Sequence, residues 1–318
     1  MDITSYLLGK KSGGGAGTLQ DKSVTITENT TTNITPDEGY DGLGEVSVTT
    51  DVTGSGAYDY FYEGAPNVAY SSVGPWYSLV KKIPGPINFT GSMTDMFMNF
   101  KGTQLPAITY SGMWASMKSF RKLFQGCENL TAIPDMSTWN TSYVTTMESM
   151  FSNCTSLTAL NVSNFNTSNV ENMYAMFSFI PLTEINISNF NTSKVKNIAY
   201  MFQNCTNLKT LTCNLDLTAC EEVRGMFSSC TALENIGTIT NIGKGFSTSQ
   251  SANYNKYTFD VSSCNNLTHA SLMNIINGLY DIATKGVQPQ KLVLGATNIA
   301  KLSQAEQDIV TTKGWTLS

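Results

Sequence analysis

A Met-Phe or Leu-Phe pair returns at 96/97, 123/124, 150/151, 176/177, 201/202 and 226/227, so successive phenylalanines stand 27, 27, 26, 25 and 25 residues apart. A self-similar period of about 20–50 residues predicts stacked supersecondary units, and about 20–29 is the range of leucine-rich repeats. Leu157, Leu160 and Val162 follow L-x-x-L-x-[VIL], a short strand with one apolar side. Val170, Met173 and Met176/Phe177 then fall at i, i+3, i+6 and i+7, the stripe of a short helix. The same stripe returns at Val144, Met147 and Met150/Phe151, and at Val195, Ile198 and Met201/Phe202. One such unit buries little alone, whereas stacking makes a continuous core. The expected fold is therefore α/β: a leucine-rich-repeat solenoid with a short strand and a short helix in each coil of about 26 residues. A small β-rich N-terminal arm and an α/β C-terminal cap complete that expectation.

The run S-N-F-N-T-S-x-V-x-x-M-x-x-M-F-x-x-C-x-x-L, drawn from residues 163–182 and their neighbours, resembles the BspA-like leucine-rich-repeat family. The resemblance covers residues 86–240 and implies a surface or virion-associated adhesion protein of a bacterium or its phage. One departure stands in it: Ile180 replaces the recurring Cys, an apolar exchange that points to packing.

Cys127, Cys154, Cys205 and Cys230 each lie three residues after a repeat Phe, which predicts one column of small buried thiols. Spacings near 25 residues do not fit zinc signatures, so neither metal nor cofactor is expected. Only 14% of residues are charged, against a usual ~25%. Asn, Thr and Ser fill the gap, which suits a molecule facing polyols or glycans. A net charge of −5 without a basic cluster argues against nucleic acid and anionic membranes. No run of about 18 apolar residues appears, so no membrane insertion is expected.

Asn140, Asn166 and Asn191 follow Trp139, Phe165 and Phe190, and precede Thr and Ser each time. They read as buried side chains satisfying a turn in every coil, although the pattern also matches glycosylation sequons. Glu171, Lys196 and Glu221 form an exposed charge ladder.

The chain divides into five stretches. Residues 1–52 hold a short first segment, the glycine hinge Ser12–Gly17, and strand candidates at 22–27 and 45–50 around the turn-rich Pro36–Gly42. This opening resembles the N-terminal arms of tail and other appendage proteins of phages of gut bacteria, which implies docking onto a particle; an ordinary β cap is the other reading. Residues 53–85 are rich in aromatics and read as a cap or as a sugar-stacking patch. The repeats occupy 86–240. Residues 241–262 form a Ser/Asn/Tyr-rich insertion, either a long connector or a binding loop. Residues 263–318 form the cap, with a helix over 272–280, a strand from Lys291, a Ser303/Glu306 capping box, and Gly314 as a stop. His269, the single histidine, is expected at a helix start in a structural role. The closing segment too is similar to that of phage-encoded BspA-like proteins.

No Ser/His/Asp set can be assembled around one histidine, and no phosphate-binding glycine loop is present. The expected function is thus a non-enzymatic phage virion appendage, a tail fibre or baseplate protein. Its partners would be other virion proteins, through residues 1–52, and a host-surface glycan or protein. The candidate binding face is Asn161, Ser163, Asn186, Ser188 and Thr212, with Phe246, Tyr254 and Tyr257 of the insertion. Symmetric appendages suggest a homo-oligomer, a trimer being one guess. The rivals are a bacterial cell-surface adhesin, a capsid head fibre or decoration protein, and a glycan depolymerase. The first eleven residues lack the order of a signal peptide, and the last four form no anchoring tail, which weighs against the adhesin.

Overall fold

A computed structural model describes residues 93–100, 102–105, 113–246, 258–285 and 290–318, together with Ile108–Tyr110 and six earlier strands. Those strands are β1 (Asp2–Ser5), β2 (Lys22–Thr25), β3 (Thr31–Ile34), β4 (Val46–Thr53), β5 (Ala57–Tyr62) and β6 (Ile87–Phe89). β1 pairs antiparallel with β2, and β3, β4 and β5 form an antiparallel sheet. β6 pairs parallel with β7 (Ile108–Tyr110). The expected turn over Pro36–Gly42, the hinge Ser12–Gly17 and most of the aromatic stretch lie outside the described residues.

Regular strands next appear at β8 (Glu184–Ile187), β9 (Thr210–Asp216) and β10 (Asn235–Thr240), a small parallel sheet in the order β10-β9-β8. A second parallel sheet joins β11 (Thr258–Asp260), β12 (Gln290–Val293) and β13 (Trp315–Leu317). The α-helices of the described residues are three: α1 (His269–Gly278), α2 (Ala296–Ile299) and α3 (Gln304–Thr312).

These elements correct the expected fold class. The α/β leucine-rich-repeat solenoid, with a strand and a helix in every coil, does not form. All three helices lie after Thr268, where helices over 272–280 and after Ser303 were expected, whereas the repeat stretches expected to be helical are turns. The physical reason is backbone handedness. Lys122, Gly126, Ser149, Asn153, Ala175, Phe179, Tyr200, Asn204, Gly225 and Ser229 all have positive φ, and two left-handed residues four places apart in each segment end any right-handed helix. Hydrogen bonding follows suit. Met147, Ser149, Phe151 and Asn153 donate their N–H groups to the carbonyls of Asn172, Tyr174, Met176 and Ser178. The alternate N–H groups of Met150, Ser152 and Cys154 reach back three residues, to Met147, Ser149 and Phe151. Half of the donors that a helix would use internally are spent on the next segment of chain.

The burial read from the sequence survives the change of secondary structure. Met147, Met150, Phe151, Met173, Met176, Phe177, Met201 and Phe202 are fully buried. Rings of Phe97, Phe124, Phe151, Phe177, Phe202 and Phe227 stack face to face, with centroids 5.6–5.8 Å apart. Phe259 of β11 meets Phe227 edge-on at 68° and 6.1 Å, which ends the column. Each buried ring contributes about 1.5–3 kcal/mol of burial, with an aromatic-pair increment besides.

The carboxy-terminal part closes the apolar interior. Thr268 caps α1 by accepting from the Ser271 N–H, and Leu272, Ile275 and Ile276 face inward. Ser271 Oγ accepts from the Ile236 N–H at 3.0 Å, and Asn274 Nδ2 donates to the Ile236 carbonyl at 3.0 Å, tying α1 to β10. Ser303 and Glu306 form the expected capping box on α3. Gly314 (φ 86°) follows the helix, in a left-handed conformation that suits glycine.

Candidate functional site

Asn161, Ser163, Asn186, Ser188 and Thr212 are all exposed, while Val162, Ile185, Ile187 and Cys213 beside them are buried. In the parallel sheet Asn186 pairs with Thr212, so strand alternation places these two on the outward side. Phe246 is corrected: it is 5% exposed and packs against Trp315, with centroids 6.4 Å apart. An aromatic ring so buried is core, and cannot be a contact residue on an outer face. Tyr254 and Tyr257 lie outside the described residues.

The exposed asparagines are fixed by their own turns. Asn161 Oδ1 accepts from the Ser163 N–H at 3.0 Å, and Asn186 Oδ1 from the Ser188 N–H at 3.0 Å and its hydroxyl at 2.8 Å. A second row repeats the device. Asn140, Asn166 and Asn191 accept from the N–H groups of Ser142, Ser168 and Ser193 at 3.0–3.1 Å. These three were expected to be buried, and they are exposed. The buried members of Asn-Thr-Ser are the threonines. Thr141 donates its hydroxyl to the Asn166 carbonyl at 3.0 Å and accepts from the Asn166 N–H at 2.7 Å. Thr167 does the same for Asn191, and Thr192 for Asp216. Each hydroxyl thereby serves as donor and acceptor for one residue of the neighbouring segment. Thr recurring between Asn and Ser is visible in the sequence, but the pattern alone does not mark it as the buried member.

The asparagines fall into two classes that look alike in the sequence. Asn164, Asn169 and Asn189 spend their Nδ2 groups on backbone carbonyls, those of Met136, Ser142, and both Val162 and Phe165. The Nδ2 groups of Asn140, Asn161, Asn166, Asn186 and Asn191 have no hydrogen-bond partner among the described residues.

Two lysines border these rows, Lys194 donating to Asn169 Oδ1 at 2.8 Å and Lys118 lying over the Tyr143 ring, while other charged groups pair with one another. Arg121 reaches Asp95 at 3.1 Å and Glu148 at 3.3 Å, and Glu148 also accepts from Asn172. Burial pushes the Asp95 carboxyl above its ordinary range against the pull of Arg121. Lys196 meets Glu171 at 2.7 Å, realising one step of the expected ladder. Their hydrogen bond lowers the Glu171 carboxyl and raises the Lys196 ammonium. Tyr174 and Tyr200 pack edge to face at 5.7 Å, with the Arg224 guanidinium 5.4 Å from the Tyr200 ring centre.

All seven cysteines are free and buried. Cys127, Cys154, Cys205 and Cys230 donate to the carbonyls of Phe97, Phe124, Phe177 and Phe202 at 2.9–3.1 Å. Ile180, standing in the same column, is 1% exposed. Burial pushes the Cys213, Cys220 and Cys264 thiols up to about 12. A thiol held neutral is a poor nucleophile and a poor metal ligand. His269 opens α1, and its Nε2 lies 2.9 Å from Glu306 Oε1, joining α1 to α3.

No group of three or more His, Cys, Asp or Glu residues that could hold a metal occurs among the described residues. None of the described helices is long and apolar enough to cross a membrane. Several carboxylates are engaged in turns or pairs: Asp135 with Ser137, Asp216 with Thr218 and Asn241, and Glu222 with Arg224.

Residues 118–238 match the family model described as DUF285, a Mycoplasma protein of unknown function. No curated protein and no solved structure matches the chain. The matched stretch is under half of the 318 residues, and it contains both asparagine rows.

Proposed function

We propose that this chain is a non-enzymatic appendage protein of a phage virion, a tail fibre or baseplate component that presents a host-binding face. The observation that carries the reading is the outward, uncharged polar surface at Asn161, Ser163, Asn186, Ser188 and Thr212, set over a buried apolar layer. A rigid support under fixed polar groups favours recognition, because little side-chain freedom is left to lose on binding. The likeness of residues 163–182 to BspA-like adhesion proteins supports the same direction. The likeness of residues 1–52 to phage appendage arms supports docking to a particle through that end.

The test is binding of the purified full chain to host cells. Asn186→Lys and Thr212→Lys place bulk and charge on the outward face without entering the core. The reading expects cell binding to fall several-fold in both, and deletion of residues 1–52 to leave it unchanged. Full binding by both lysine variants would defeat this choice of face. A second reading, a bacterial cell-surface adhesin, is favoured by the family match, whose description is of a bacterial protein.

A further inference from the structure

We propose that Asn140, Asn166 and Asn191, with Ser142, Ser193 and Tyr143 beside them, form a track for a neutral, hydroxyl-rich glycan. This deepens the host-binding reading and rests on it. The turn held by each asparagine needs only a side-chain acceptor. Asp135, Asp216 and Asp260 make the same turn with a carboxylate, accepting from the N–H groups of Ser137, Thr218 and Ser262 at 2.8–3.0 Å. One side-chain oxygen is therefore sufficient, and the amide nitrogen of an asparagine adds nothing to the turn.

In the row formed by Asn140, Asn166 and Asn191 that nitrogen nevertheless stands three times in succession. With Oδ1 tied at 3.0–3.1 Å, each amide plane is held in place, and its N–H pair has no partner among the described residues. The neighbouring hydroxyls carry the complementary function. Ser142 and Ser193 donate to Asn140 and Asn191 Oδ1 at 2.6 and 2.7 Å, so their protons are spent and their oxygens are left as acceptors. A fixed donor beside a fixed acceptor matches two adjacent hydroxyls of a sugar, one accepting and one donating. Tyr143, 41% exposed, follows Ser142 and offers an aromatic surface for the C–H face of a pyranose; the Lys118 ammonium lies 5.3 Å from its ring centre. Residues 140–144, 161–170 and 186–193 contain no charged side chain, and the charges at their edge are of both signs: Lys194, whose Nζ donates to Asn169 Oδ1 at 2.8 Å, and Asp216, next in the row, so an acidic polymer finds no uniformly basic track.

Asn166→Asp isolates the claim, because it keeps the turn's acceptor and removes only the donor. The full chain would be titrated with maltooligosaccharides, N-acetylglucosamine oligomers and dextran, with hyaluronate as the acidic comparison, at low and high salt. The expected result is binding to at least one neutral glycan, insensitive to salt, and weakened about fivefold by Asn166→Asp. Asp216→Asn, which continues the row by one amide, is expected to tighten it. Thermal melts of both variants at the wild-type midpoint would keep the comparison clean. Unchanged affinity in Asn166→Asp, preference for hyaluronate, or no binding to any neutral glycan would overturn the proposal. Host-cell binding that persists in Asn166→Asp and resists glycan competition would overturn this track and leave the host-binding reading standing. Loss of cell binding altogether, with glycan binding intact and dependent on Asn166, would do the reverse.

Discussion

The hydroxyl of Thr167 closes both backbone bonds of Asn191, donating to its carbonyl at 3.0 Å and accepting from its N–H at 2.8 Å. Thr167 is 1% exposed and lies 24 residues from its partner, so one side chain replaces a whole step of sheet pairing. Thr167→Val keeps the shape and removes both bonds, and should cost about 1–3 kcal/mol. Thr167→Ser keeps the hydroxyl and should cost about 0.8 kcal/mol, the worth of one buried methyl. Urea denaturation of the two variants checks the order, and a larger loss in Thr167→Ser than in Thr167→Val would show that the methyl, not the hydroxyl, carries the effect.

How much of this could be read from the sequence depends on which property is asked for. The columns of Met, Phe and Cys gave burial, and Ile180 standing for a cysteine pointed correctly to packing. The turns are not legible because i, i+3 and i+7 spacing also suits a turn segment with two left-handed residues four places apart. The warning lay in Asn99, Gly126, Asn153 and Asn204, residues tolerant of positive φ, each two places after a repeat Phe. The site was only half visible. Asn164 and Asn166 are chemically identical, and only the geometry of the next segment sends one amide to the Met136 carbonyl and leaves the other facing out.

Phe179 is the bulky member of that left-handed column, in which Ser229 also stands. It has φ of 60°, is 40% exposed, and occupies the place held by Asn153 and Asn204 in neighbouring segments. A bulky side chain gains little there and strains the backbone. Phe179→Asn is expected to raise stability by about 0.5–1 kcal/mol, read as a higher melting temperature. A lower one would show that the exposed ring makes contacts worth more than the strain.

Phe177 is stacked on both faces, against Phe151 at 5.8 Å and Phe202 at 5.6 Å. Removing it opens a cavity in the middle of the column. Phe177→Ala should cost about 3–5 kcal/mol and Phe177→Leu substantially less. Calorimetric unfolding of the pair checks this; a small loss in the alanine variant would mean that the column readily collapses.

The thiols provide a test of sealing. Burial holds Cys213, Cys220 and Cys264 near 12, and the neighbouring Cys127 thiol together with burial raises Cys154 well above its ordinary value. At pH 8 the native chain should react negligibly with a thiol-specific chromogenic disulfide, and all seven cysteines should react at once in denaturant. Rapid labelling of the folded chain would contradict the packing.

Acid should loosen the carboxy-terminal end. The Ser303 N–H and hydroxyl, with His269, hold the Glu306 carboxyl below its ordinary range. A depressed folded value means that this stabilisation is present above the ordinary carboxylate range and is lost as pH falls through the lowered one. Glu306→Gln should flatten the pH dependence of unfolding in that acidic window, measured as melting temperature from pH 6 down to about pH 3. An unaltered slope would remove the capping box from the account.

The most direct measurement on the central claim is gold-antibody labelling of intact particles released from the source culture, viewed by electron microscopy. The account expects label at the tail end of the particles. Label on cell envelopes with bare particles would contradict it and leave the bacterial adhesin.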